Sequence, residues 1–301
     1  MQNYGDRIPL SFPRGEGVWL FDASGERYLD FFSGIAVNLL GHSHPVLQKA
    51  IFEAGKKPLH FSNLFEIPEQ ELCAKKLCSL AENSFQNEYK AFFCNSGTEA
   101  NEAALKLARK KTGRTKLLSF EGGFHGRTCG SLSITGKEEI RRDFSPLLPD
   151  CKKLSFGSLE DISRIDEKTA AVFVELIQGE GGVLPAEKEW ISSLQKRCHE
   201  VGALFIVDEV QTGVGRTGTF FTSEDYGISP DIITLAKGLG GGLPVGAMLA
   251  KKDISAAFTP GSHGTTFGGN PFIMHAVNAL IDEVSSSNFL DSVQKNSEYF
   301  F

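Results

Sequence analysis

The sequence predicts an α/β fold built on a mostly parallel sheet with helices on both faces, and two observations carry that prediction. The recurring unit is a short β-branched or aromatic run, then a Gly-rich turn, then a helical stretch, which is how parallel strands and their crossovers read. No repeat or low-complexity tract interrupts the pattern.

The first residues, Met1 to Gly17, carry charges, prolines and glycines without an apolar core, so no leader is expected there. Lys90 to Cys94 reads as a buried strand, and Glu99 to Lys111 repeats Ala, Leu and Lys at helical spacing. Further strands are expected at Lys116 to Phe120, Ala170 to Glu175, Ala203 to Asp208, Ile232 to Leu235 and Val245 to Ala250, with a helix over Lys188 to Val201. After Pro271 a helical pattern runs from Phe272 to Val284, weakens through Leu290 and Val293, and stops at Phe300-Phe301 with no evident partner for those rings. Such an ending predicts an interrupted domain.

Composition sets outer bounds. With 301 residues, 41% of them hydrophobic, the chain can bury one large or two modest domains. A net charge of -6 with both signs interspersed argues against a nucleic-acid partner. No stretch approaches the ~20 apolar residues that span a bilayer, so the expected location is the cytoplasm. The six cysteines lack a C-x-x-C pair and read as reduced packing residues, and no metal site is expected.

The chemistry is expected in the turns after strands, where open α/β sheets place ligands. Asn95-Ser96-Gly97-Thr98-Glu99 joins a strand to a helix, so its free N–H groups either hold a phosphate or form a plain N-cap. Asp208 ends an apolar strand, where a carboxylate needs a cationic partner such as a protonated ring nitrogen. The alternatives are that it caps the next turn or pairs with Arg216. Lys237 lies between a strand end and the run Gly238 to Gly242. Desolvated, its amine becomes a usable nucleophile; otherwise it is a solvated charge. Gly213 to Gly218 spells G-x-G-x-x-G, but it neither follows a strand at once nor opens a helix, so a dinucleotide site is rejected.

Together these pieces carry a resemblance. FFCNSGTEANEAALKLAR, FHGRT, VELIQGEGGV, VDEVQTGVGRTG, PDIITLAKGLGGGLPVGAMLA and HGTTFGGNP occur in succession and resemble the class III aminotransferases of pyridoxal-phosphate fold type I. Within them, SFPRGEGVWLFDASGERYLDFFSGIAVNLLGHSHP is similar to the N-terminal segment of the acetylornithine aminotransferases. Ornithine δ-aminotransferases have a tyrosine where Gly34 falls.

The resemblance implies pyridoxal 5'-phosphate, a sheet of the seven-stranded type, and a homodimer with shared active sites. It implies three parts: 1–42 belonging to a small domain, 43–271 as the large cofactor domain, and 272–301 as the start of a C-terminal small domain that is cut short. Lys237 matches the lysine that holds the cofactor covalently, Asp208 the partner of its ring nitrogen, and Gln211 a neighbour of its phenolic oxygen. Ser96, Gly97 and Thr98 match the phosphate cradle, and Thr266 a threonine that reaches the neighbouring subunit's phosphate. Phe124 matches the aromatic stacked on the ring, with His125 beside it. Arg127 matches the arginine for the substrate's α-carboxylate, and Glu180 a glutamate that pairs with a later arginine until a dicarboxylate arrives. That later arginine has no counterpart here, and Leu176 stands where the family has proline. The implied reaction moves the ω-amino group of N-acetylornithine to a 2-oxo acid, 2-oxoglutarate. Ornithine, succinylornithine and 4-aminobutyrate are alternative donors, and an inactive cofactor-binding chain is a further alternative.

Overall fold

The computed structural model describes residues 5–300. Three short antiparallel strands come first, β1 (Arg14–Glu16), β2 (Trp19–Phe21) and β3 (Arg27–Leu29). They lead into a single turn, α1 (Ser33–Ala36), which is wound left-handed, with φ of 51, 63, 66 and 59° at Ser33, Gly34, Ile35 and Ala36. Two helices follow, α2 (Pro45–Ala54) and α3 (Pro68–Phe85), each entered through a proline at its first turn, where the missing N–H costs nothing.

The large sheet then begins with β4 (Tyr89–Cys94), helix α4 (Gly97–Thr112), β5 (Lys116–Phe120), the short α5 (Cys129–Ile134) and β6 (Cys151–Leu154). It continues with β7 (Thr169–Val174), a small hairpin of β8 (Ile177–Gln178) and β9 (Leu184–Pro185), and helix α6 (Lys188–Val201). Next come β10 (Leu204–Asp208), the turn α7 (Thr222–Asp225), β11 (Ile232–Leu235) and β12 (Gly246–Lys251). The chain closes with α8 (Lys252–Ser255), α9 (Pro271–Val284) and α10 (Ser287–Phe300).

Seven strands pair in the order β4-β12-β11-β10-β7-β5-β6. Only β12 runs against its neighbours, and the other pairings are parallel. Central strands β7, β10 and β11 are buried at every residue, because helices cover both faces. One face packs α4 through Ala104, Leu107 and Ala108. The other packs α6 through Trp190 and Leu194, and α3 and α9 through Leu77, Val277 and Leu280. Each buried Leu or Val among them contributes about 1.5–3 kcal/mol.

The α4 to α9 region therefore has the architecture the sequence predicts. The packing is continuous across residue 271, since α9 shares its core with β4, β11 and β12. The expected lack of a partner at the C-terminus is corrected at Phe300, whose ring lies 6.2 Å from that of Phe31; Phe301 falls outside the described residues. Among those residues no helix is long and apolar enough to cross a membrane.

Candidate active site

Parallel strands bring their C-terminal ends to one edge of the sheet, and five of those ends open onto a cavity of about 470 Å³, a size suited to a small-molecule cofactor. After β4, Ser96 is the N-cap of α4, its Oγ accepting the Glu99 N–H at 3.4 Å. The plain-cap alternative is thus realised, but Ser96, Gly97 and Thr98 also line the cavity. The first N–H groups of a sixteen-residue helix have no intrahelical acceptor and face an anion favourably. A Cβ on Gly97 would meet Val210 Cγ1 at 2.7 Å, so only glycine lets the cradle close on the β10 turn.

After β5 come Phe124, His125 and Arg127, all lining the cavity. The Phe124 N–H donates to Glu175 Oε2 at 2.9 Å. The Arg127 guanidinium is exposed and sits 5.6 Å from the Phe124 ring centroid. Glu175, just past β7, is buried, and its carboxyl is pushed up to about 7. Burial is the main cause; the Asp208 charge adds to it, while His125 and the Phe124 N–H oppose it.

Asp208, at the end of β10, is 4% exposed. Its Oδ2 accepts from His125 Nδ1 at 2.7 Å and from Asn101 Nδ2 at 2.8 Å, and its Oδ1 accepts the Val210 N–H at 3.0 Å. Burial pulls the His125 pKa down, but the bonded Asp208 carboxylate outweighs it and the net shift is upward. The alternative pairing of Asp208 with Arg216 is corrected: the carboxylate is held by His125 and Asn101, and Arg216 Nε and Nη2 have no hydrogen-bond partner among the described residues.

Lys237 follows β11 with φ of 42°, a left-handed conformation that a non-glycine residue keeps only where the surroundings impose it. Burial lowers its basicity, Arg216 acts in the same direction, and the carboxylates of Asp208, Glu175 and Glu180 oppose both. Lys237 is half-buried in the wall of the cavity, not a fully solvated surface charge. Gln211 and Glu180 also line the cavity, but Glu180 Oε2 pairs with Lys137 Nζ at 3.3 Å rather than with an arginine.

Thr266 alone of the expected residues lies apart. It lines a separate groove with Asn95, Glu99 and His263. The rejected glycine motif, residues 213–218, forms turns between β10 and α7 and opens no long helix. Sequence reasoning missed Asn101 and Glu175 as site residues. Asn101 had a signal, a polar residue on the Ala- and Leu-rich face of α4, whereas Glu175 had none beyond ending a strand.

These residues fit pyridoxal phosphate: an anion cradle at a helix start, an aromatic flanked by an arginine, a buried acid with a free lone pair, and a lysine of depressed basicity share one cavity. Fold and site together define a pyridoxal-phosphate enzyme of fold type I. The family model described as aminotransferase class-III matches residues 1–301, and the chain belongs to that family.

Similar curated proteins include an acetylornithine aminotransferase of Aquifex aeolicus, 49% identical over 100% of this chain and 80% of that protein. Another, of Streptococcus mutans, is 48% identical over 99% and 77%. Among solved structures, N-acetylornithine aminotransferase from Stenotrophomonas maltophilia superposes with a TM-score of 0.82 at 32% identity, covering 99% of this chain and 74% of that one. The ornithine aminotransferase of Toxoplasma gondii reaches 0.89 at 28% identity, covering 97% and 70%.

Proposed function

We propose that this chain transfers the ω-amino group of N-acetylornithine to 2-oxoglutarate. The observation that supports this most is the 48–49% identity, across essentially the whole chain, to relatives named acetylornithine aminotransferase. Gly34 also stands where ornithine δ-aminotransferases carry tyrosine, which favours the acetylornithine reading over free ornithine.

When bound, pyridoxal phosphate supplies a carbon that joins amines covalently and a ring that accepts electrons. The chain's own residues do the rest. The Ser96 to Thr98 turn would hold the phosphate, and Phe124 and Gln211, which line the same cavity, would contact the ring and its oxygen substituent. Asp208, buried at the end of β10, would pair with the ring nitrogen and favour its protonated form. Lys237 Nζ, made less basic by burial, would anchor the cofactor and would be the group placed to move a proton at the reacting carbon. Arg127 orients the donor's carboxylate as a bidentate partner. Glu180, held by Lys137, is available to rearrange when a dicarboxylate enters.

In this reading the enzyme is a cytoplasmic homodimer in which Thr266, set outside its own chain's cavity, reaches the partner's phosphate. Limited proteolysis reports on the three-part division 1–42, 43–271 and 272–301; cleavage after residue 284 in place of 271 would move the last boundary. The deciding experiment measures both half-reactions with acetylornithine, ornithine, succinylornithine and 4-aminobutyrate. The highest kcat/KM is expected for acetylornithine. A higher value for another donor would overturn the substrate assignment, and cofactor binding without turnover would overturn the enzyme assignment.

A further inference from the structure

Asn101 stands out once every buried polar side chain is asked what it holds. It is 1% exposed, sits one turn into α4, and lines the cofactor cavity. Its Nδ2 donates to the His125 carbonyl and to Asp208 Oδ2, both at 2.8 Å, and its Oδ1 accepts from Thr234 Oγ1 at 2.8 Å. Two acceptor-only partners on one side fix the amide orientation, because a flip would set oxygen against oxygen. One side chain thereby ties α4 to three of the strand ends that build the site: the segment after β5, the end of β10, and Thr234 in β11.

The two Asp208 oxygens are treated unequally. Oδ2 carries His125 and Asn101, both strong donors, whereas Oδ1 carries only the Val210 N–H. A carboxylate oxygen has room for two acceptor bonds, so Oδ2 is full and Oδ1 has one place left.

We propose that Asn101 is a positioning residue that saturates Asp208 Oδ2, so that Oδ1 is the oxygen presented to the cofactor's ring nitrogen. This rests on the pyridoxal-phosphate reading above. Without the Asn101 donor, Oδ2 loses one of its two hydrogen bonds and competes with Oδ1 for the cofactor. A bound cofactor's ring nitrogen would be held less firmly in its protonated form, and the His125 carbonyl and the Thr234 hydroxyl are left without their partner.

The test uses the full chain and its Asn101→Ala and Asn101→Asp variants, with folding checked by circular dichroism and apo thermal unfolding. Pyridoxal phosphate affinity is measured by equilibrium dialysis at pH 6 and pH 9, and visible absorbance of the loaded protein is titrated against pH. Wild type must load first; if it does not, the cofactor reading fails and Asn101 is not the reason. For Asn101→Ala the affinity is expected to fall about tenfold and the absorbance midpoint to move up by about one unit, the scale of one charge-assisted hydrogen bond. Asn101→Asp keeps the volume. Protonated, it donates to Asp208 as the amide does; ionised, it repels it. Its affinity is therefore expected within about threefold of wild type at pH 6 and about tenfold or more weaker at pH 9. Wild-type affinity and midpoint in both folded variants would overturn the proposal. So would an Asn101→Asp affinity lost equally at both pH values, since that is the signature of packing alone.

Discussion

Asp208 and Glu209 are neighbours at the end of one strand, yet they meet burial in different ways. Asp208 has His125 and Asn101. Glu209 has no cationic partner among the described residues: it is fully buried and accepts from the Thr222 and Ser223 N–H groups at 2.8 and 2.9 Å and from Ser223 Oγ at 2.6 Å. Burial pushes its carboxyl from 4.5 up to about 7 despite those donors. A carboxyl with a raised folded pKa binds its proton more tightly when folded, so its contribution is full below pH 4.5 and is lost as pH rises through 7. About 3 kcal/mol changes across that window. Glu209→Gln removes the slope. Its stability deficit against wild type, read from urea unfolding, is expected to be largest near pH 5 and about 3 kcal/mol smaller at pH 8. Asp208→Asn is expected to fold and to lose about a thousandfold in kcat, measured with acetylornithine and 2-oxoglutarate. Lys237 and Asp208 were legible in the sequence because a titratable residue at the end of an apolar strand is conspicuous. Asn101 was not read, since its role depends on three partners distant in sequence.

At the scale of elements, strained and close-packed turns frame the cavity. The left-handed turn α1 holds Ile35 at φ of 66°, costly for a β-branched residue, immediately before Val37, which lines the cavity. Asp30 Oδ1 secures it by accepting the Phe32 and Ser33 N–H groups. Ile35 is nearly half exposed, so Ile35→Gly forfeits little burial and is expected to raise the apo-protein's stability by up to about 1 kcal/mol, seen as a higher thermal midpoint. Gly97→Ala works the other way. Its new Cβ collides with Val210, which is expected to cost about 1–3 kcal/mol and to weaken phosphate binding. The elements near the site were the legible ones: β5 and α6 begin and end where the sequence places them. Three-residue strands β1 to β3 and the edge strand β6 escaped because they are short and partly exposed, too short for even the apolar Trp19-Leu20-Phe21 of β2 to show a period.

For the whole molecule, several large apolar side chains stay in solvent. Leu64 is 91% exposed and Phe267 60%, and the two segments lie together, with Asn63 Nδ2 donating to the Gly268 carbonyl and the His60 and Phe267 rings 5.3 Å apart. Monomers seldom leave such surface bare. Thr266 lies within this patch, which supports the shared-site dimer. Sedimentation is expected to give twice the chain mass, and Leu64→Lys with Phe267→Lys to give monomers with weakened cofactor binding. The sequence could not show this surface, because exposure is a property of the assembled fold. We propose that Lys237 anchors the cofactor opposite Asp208, and the most direct test is the visible absorbance spectrum of purified chain and of Lys237→Ala, each with added pyridoxal phosphate. A band in wild type that is absent in the variant and bleaches with acetylornithine is the predicted result. The same band in both proteins, or in neither, would contradict it.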